Sequence, residues 1–201
     1  MAGRGWWLAL VAAVALALVS LASNVTTMSQ MSGEANTLLA VRFTISKLVN
    51  ASAVWAGLPI LCGWLVRRPL QAAAAGTMGG LVALVVHYGV GQFFGMFDSE
   101  VWPANTFWFT AAVVVGGPLG LVGAAARRSD LWGLLGRLTV PIGAILQPFV
   151  LGMFTTPAIL PWAERVSSIV SGAVLLAAGI MGGAAALVHR KQRHPAPQQR
   201  R

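Results

Sequence analysis

Charge is scarce in this chain: of 201 residues only 9% are Asp, Glu, Lys or Arg, five of them acidic, while 57% are hydrophobic. Soluble domains carry about 25% charged residues, so a water-facing surface cannot be assembled here and the solvent must be lipid. A lone cysteine, Cys62, excludes an intrachain disulfide and a CxxC redox pair, leaving it as a small packing residue. Three histidines, of which His189 and His194 lie near the C-terminal end, leave a metal without a ligand set. The H-E-x-x-H, G-x-x-x-x-G-K-S/T and G-x-S-x-G signatures are all absent. The expectation is therefore no catalytic residue, no metal, no cofactor and no enzyme.

What the chain does contain is six long apolar stretches, each near the ~20 residues that a helix needs to cross ~30 Å of hydrocarbon. Helices follow, because backbone exposed to lipid must satisfy its hydrogen bonds within its own segment. The expected spans are Trp6 to Ala22, Leu48 to Val66, Leu70 to Phe94, Phe107 to Ala126, Leu138 to Leu160 and Val166 to Val188. The fold class is all-α: a polytopic membrane helix bundle with six transmembrane helices and both termini cytoplasmic. Residues 1–188 form one transmembrane domain, and 189–201 a basic, disordered cytoplasmic tail.

Orientation comes from the cations. Placing the N-terminus inside puts Arg4, Arg67, Arg68, Arg127, Arg128, Arg137, Arg190, Lys191, Arg193, Arg200 and Arg201 on the cytoplasmic side, against Arg42, Lys47 and Arg165 outside. Eleven against three satisfies the positive-inside rule. The net charge of +9 is accounted for by span ends and tail, which meet anionic headgroups, so nucleic acid is excluded as a partner and the lipid bilayer is the expected one. Ala and Gly richness points to a bacterial source, hence a multi-pass protein of the bacterial plasma membrane. The first stretch, with Arg4 ahead and Ser20-Leu21-Ala22 behind, also fits a cleaved signal peptide, which would leave five spans. The Trp6-Trp7 anchor and the thin basic region favour an uncleaved span.

Polar groups inside spans are where function is sought, since burying them in lipid is costly unless they are paired or face a cavity. His87 leads, with Tyr88 and Gln92 nearby; Lys47, Asn50, Ser52, Thr110, Ser167, Ser168 and Ser171 share its depth. Pro141, Pro148 and Pro157 interrupt the fifth stretch and Gln147 precedes Pro148, so this span reads as a broken helix. The candidate ligand-binding set is His87, Gln147, Asn50, Gln92, Thr110 and Ser171. Small residues repeat every fourth position at Ala9, Ala13 and Ala17, at Gly76 and Gly80, at Gly116 and Gly120, and at Gly179 and Gly183, suiting close helix contact. The Ala stripe is similar to that by which the substrate-binding subunits of energy-coupling-factor transporters meet their membrane partner.

The segment from Leu48 to Gly76, with Asn50, Ser52 and Trp55 leading into Gly63, Arg67, Arg68 and Pro69, is followed by Trp108, Gly117, Pro118 and Gly120. Together these resemble an actinobacterial family of small multi-span membrane proteins. The resemblance runs from Leu48 to Val188 and implies about six helices, with no activity to carry over. Two function classes lead: a small-molecule binding or transport component, and an accessory or scaffold subunit of a larger membrane complex, with other membrane subunits as partners; a third, a membrane enzyme, has only His87 in its support.

Overall fold

The computed structural model describes residues 2–25 and 36–193. Eight helices occur among them: α1 (Ala2–Ser23), α2 (Asn36–Val49), α3 (Ser52–Val66), α4 (Pro69–Phe93), the short α5 (Val101–Ala104), α6 (Thr106–Ala125), α7 (Leu131–Val150) and α8 (Trp162–Arg193). Six stretches are long and apolar enough to cross a membrane, with α2 and α3 counting together as one of 31 residues. Large apolar side chains such as Val114, Val150, Ile180 and Met181 are exposed around the bundle, as a lipid-facing surface requires.

The boundaries have local causes. Helix α3 stops because Arg67 adopts φ 77° and ψ −44°, and the Arg68 N–H donates to the Val66 carbonyl at 3.0 Å. This is the rare γ-turn, strained for a residue bearing a Cβ. Pro69 then opens α4 with a φ already suited to a first helical turn. Helices α4 and α7 both end in Schellman motifs, with Gly95 at φ 68° and Gly152 at φ 60°. The matching bonds run from Met96 N–H to Gly91 O and from Met153 N–H to Pro148 O, each 2.8 Å. Asp130 caps α7 by accepting from the Gly133 N–H at 3.0 Å, and its carboxyl is held below the ordinary carboxylate value chiefly by the Arg128 guanidinium beside it.

Three sequence expectations shift here. The fifth stretch was expected to run from Leu138 to Leu160, after a linker from Ser129 to Arg137. Helix α7 instead begins at Leu131, passes through Pro141 and Pro148, and stops at Val150, so Pro157 lies outside it. The broken helix is the second span: α2, fourteen residues long, begins twelve residues ahead of Leu48 and is parted from α3 at Asn50 and Ala51. Ala51 has φ −60° and ψ 138°, which ends one helix and aims the next. The last helix continues past Val188 to Arg193; the rest of the expected tail, and the polar loop at 26–35, lie outside the described residues.

Helix α4 is the hub, packed against α1, α3 and α6, while α8 pairs with α7 and α2. The α3, α4 and α6 contacts are backbone to backbone. A Cβ at Gly63 would overlap the Gly120 carbonyl, and one at Gly120 the Ala72 carbonyl. Only glycine permits this approach, which in lipid replaces the hydrophobic effect with dense van der Waals packing. The Ala9, Ala13 and Ala17 stripe is also internal, at 4%, 0% and 0% exposure in one cluster with Leu58, Cys62, Ala75 and Ala83. Its docking face is therefore already occupied by α3 and α4, and the likeness to energy-coupling-factor subunits loses its surface.

Candidate functional site

Above the glycine contacts α3, α4 and α6 diverge, and between them lies a cavity of about 410 Å³. The three helices share one gradient along it, although α4 runs antiparallel to α3 and α6. Following α3 from Pro59 to Ser52, α4 from Gly80 to Tyr88 and α6 from Leu119 to Trp108, the lining changes from apolar to polar and aromatic. The result is a slot. Its floor is made of Pro59, Gly80, Gly116 and Leu119, and its mouth of Asn50, Ser52, Trp55, His87, Tyr88 and Trp108. No Asp, Glu, Lys or Arg lines it. The volume lies within the range of about 300–1,000 Å³ typical of small-ligand sites.

His87 is 8% exposed and its Nδ1 lies 3.4 Å from the Ala17 carbonyl of α1. A carbonyl only accepts, so Nδ1 carries the proton and Nε2 of the neutral ring is an acceptor. The ring stands edge-on to Trp55 at 6.1 Å and to Tyr88 at 5.1 Å, with Phe97 at 5.8 Å. An aromatic cluster of Tyr88, Phe97, Trp102 and Phe109 packs at this end of the bundle. Polar bonds pin it: Tyr88 OH donates to Asn105 Oδ1 at 2.9 Å, and Trp102 Nε1–H donates to Gln92 Oε1 at 2.7 Å.

The six candidate residues therefore divide. His87 and Asn50 share the slot. Asn50 also ties helices together, accepting from the fully buried Ser20 Oγ at 2.6 Å and donating to the Ser46 carbonyl at 2.9 Å. Gln92 holds Trp102, as above. Thr110 is exposed and bonds its own helix at the Thr106 carbonyl, 3.0 Å away. Ser171 is fully buried between α8 and α2, donating to the Thr44 carbonyl at 3.3 Å. Gln147, 9% exposed, accepts from the Ala53 N–H at 3.0 Å. Its role is to cap the start of α3, satisfying a donor that the helix itself cannot.

Lys47 is similarly committed, its ammonium donating to Glu164 Oε1 at 2.7 Å, the Glu164 carbonyl at 3.1 Å, Ser167 Oγ at 3.0 Å and Ser168 Oγ at 2.7 Å. This knot clamps α2 to the first turns of α8. Sequence reasoning placed Trp55 and Trp108 in the resemblance and did not join them to His87. The signal available was the Gly76, Gly80, Gly116 and Gly120 pattern: helices that touch through glycine at one level must separate at another unless they run parallel.

Among the described residues, fold and site together define a helical architecture with six membrane-length apolar stretches and a small-ligand-sized slot among three of them. Residues 35–140, just over half of the chain, match DUF6518, a family of unknown function, and the chain belongs to that family. The match takes in α2 to α6 and the first half of α7, and so contains every residue lining the slot. No curated protein and no solved structure matches the chain.

Proposed function

We propose that the chain is a multi-pass protein of the bacterial plasma membrane, and that the slot between α3, α4 and α6 binds a small molecule, either for retention or as a step in its transport. The slot itself carries this reading: a half-open volume of about 410 Å³ with an apolar floor and a polar, aromatic mouth. Charge asymmetry supports the orientation. Arg67, Arg68, Arg127 and Arg128 cluster at the floor end, which under the positive-inside rule is cytoplasmic, so both termini are inside and the mouth opens outward. No catalytic step is assigned to these residues. The accessory-subunit reading loses support, because the Ala9 stripe and the Gly63, Gly76 and Gly120 contacts are spent on intramolecular packing.

Small molecules extracted from the purified protein and resolved by mass spectrometry test the reading. Ala56→Phe, placing a phenyl ring in the slot, should remove a species enriched with the parent protein. Identical extracts from equally folded parent and variant would refute slot binding.

A further inference from the structure

We infer that the slot takes an uncharged, planar aromatic molecule bearing a hydroxyl or N–H donor, its apolar body on the floor and its donor at the mouth; this rests on the reading of the slot as a ligand site. The first argument is charge. With no Asp, Glu, Lys or Arg in the lining, no permanently charged side chain faces the occupant, and an ionised ligand would lose its hydration without a fixed counter-charge. The second is shape. Trp55, His87, Tyr88 and Trp108 bring four aromatic rings to the mouth, and Gly80 and Gly116 add no side chain to the floor, a lining that suits a flat aromatic molecule.

The third argument fixes the polar group. His87 donates its Nδ1–H to the Ala17 carbonyl of α1, and the imidazole nitrogens diverge, so Nε2 points away from that contact on a side chain that lines the slot. Nε2 bonds no described residue, although the side chain is nine-tenths buried. An acceptor left bare at such a site calls for a donor from the occupant. Two other polar groups of the mouth are committed, Tyr88 OH to Asn105 and Asn50 to Ser20 and Ser46, which leaves His87 Nε2 and the Ser52 hydroxyl oxygen as its acceptors, and Nε2 as the one that cannot itself donate. The Trp55 indole N–H and the Ser52 hydroxyl make no side-chain hydrogen bond among the described residues and belong to the same lining.

Equilibrium dialysis against the full chain in lipid nanodiscs, corrected by empty discs, tests the inference with 2-naphthol, 2-methoxynaphthalene and 2-naphthoate. The methoxy compound keeps the ring system and lacks only the donor. The parent protein should retain 2-naphthol about tenfold more tightly than the methoxy compound, the selectivity a buried acceptor imposes. His87→Asn keeps an amide N–H for Ala17 but deletes Nε2, and should shrink that preference to within about twofold. If that variant exposes Cys62 to a thiol dye, His87→Leu is read in the same way. Equal retention of naphthol and its methyl ether, both abolished by Ala56→Phe, would overturn the donor assignment and leave the slot as a ligand site. A preference for 2-naphthoate would overturn the uncharged class. Retention no greater than in empty discs, or indifferent to Ala56→Phe, would sink the class and the slot together.

Discussion

Replacing Gln147 by Leu should destabilise the bundle through one hydrogen bond. The side chain is 9% exposed, and its Oε1 accepts the Ala53 N–H at 3.0 Å, where α3 restarts after the break at Ala51. Leucine fills much the same volume and is more apolar, so packing alone predicts a neutral or stabilising change. The bare donor predicts the opposite: a buried, unsatisfied N–H costs about 1–3 kcal/mol. At about 2–4 °C per kcal/mol for a chain of this size, the melting point should fall by roughly 2–12 °C. Cys62 supplies the assay without engineering, since it is fully buried and is the chain's one cysteine, so a thiol-reactive dye reports opening of the α1, α3 and α4 core. A double-mutant cycle isolates the cause. Ala53→Pro removes the donor in the first turn of α3, where proline is tolerated, and on that background Gln147→Leu should cost little further. A Gln147→Leu protein as stable as its parent, or costs that simply add in the cycle, would refute the capping role.

Three further predictions are independent of it. With Cys62 replaced, cysteines introduced at Ser32, Ser99 and Ala158 should react with an impermeant thiol reagent in intact cells and one at Ser129 should not; protection of the first three would reverse the orientation. Gly120→Leu should abolish recovery of folded protein, because its side chain would enter the Ala72 backbone, whereas Gly3→Leu, with open space around it, should be tolerated. Asp130 has a folded-state pKa lowered from 3.8 by Arg128 and the Gly133 N–H, so its contribution is complete above that value and lost as pH falls through the lower one. Asp130→Ala should therefore lower stability at pH 7 and flatten the acid limb of the stability profile, measured by the same dye; an unchanged acid limb would show the cap to be idle.

Much of the architecture was legible because lipid imposes a simple rule: long apolar runs must be helical, and the Arg pairs mark where they end. The ends that were misplaced were decided by subtler groups. Gly152, whose positive φ completes a Schellman motif, stopped α7 ten residues short of Leu160, and nothing in the apolar pattern marks that stop. Proline misdirected the search for a broken helix. Pro141 and Pro148 are accommodated within α7, while the true break at Asn50 and Ala51 carries no proline and is held by Gln147 from another helix. The candidate site was legible as a depth, and only partly as a set. His87 and Asn50 do meet at one cavity, but Gln92, Thr110 and Ser171 had shorter routes to a partner, and which polar group is satisfied locally depends on neighbours that sequence does not name. Lys47 illustrates the same limit, since its four acceptors lie more than a hundred residues away.

The slot is the central claim, and a heavy-atom ligand tests it most directly. Crystals grown with 6-bromo-2-naphthol and measured at the bromine absorption edge should show one anomalous peak between α3, α4 and α6, near Leu119 and Gly116, with the hydroxyl within hydrogen-bonding reach of His87 Nε2. Bromine found only on the lipid-facing surface, with the space between Trp55 and Trp108 closed by their own side chains, would contradict it.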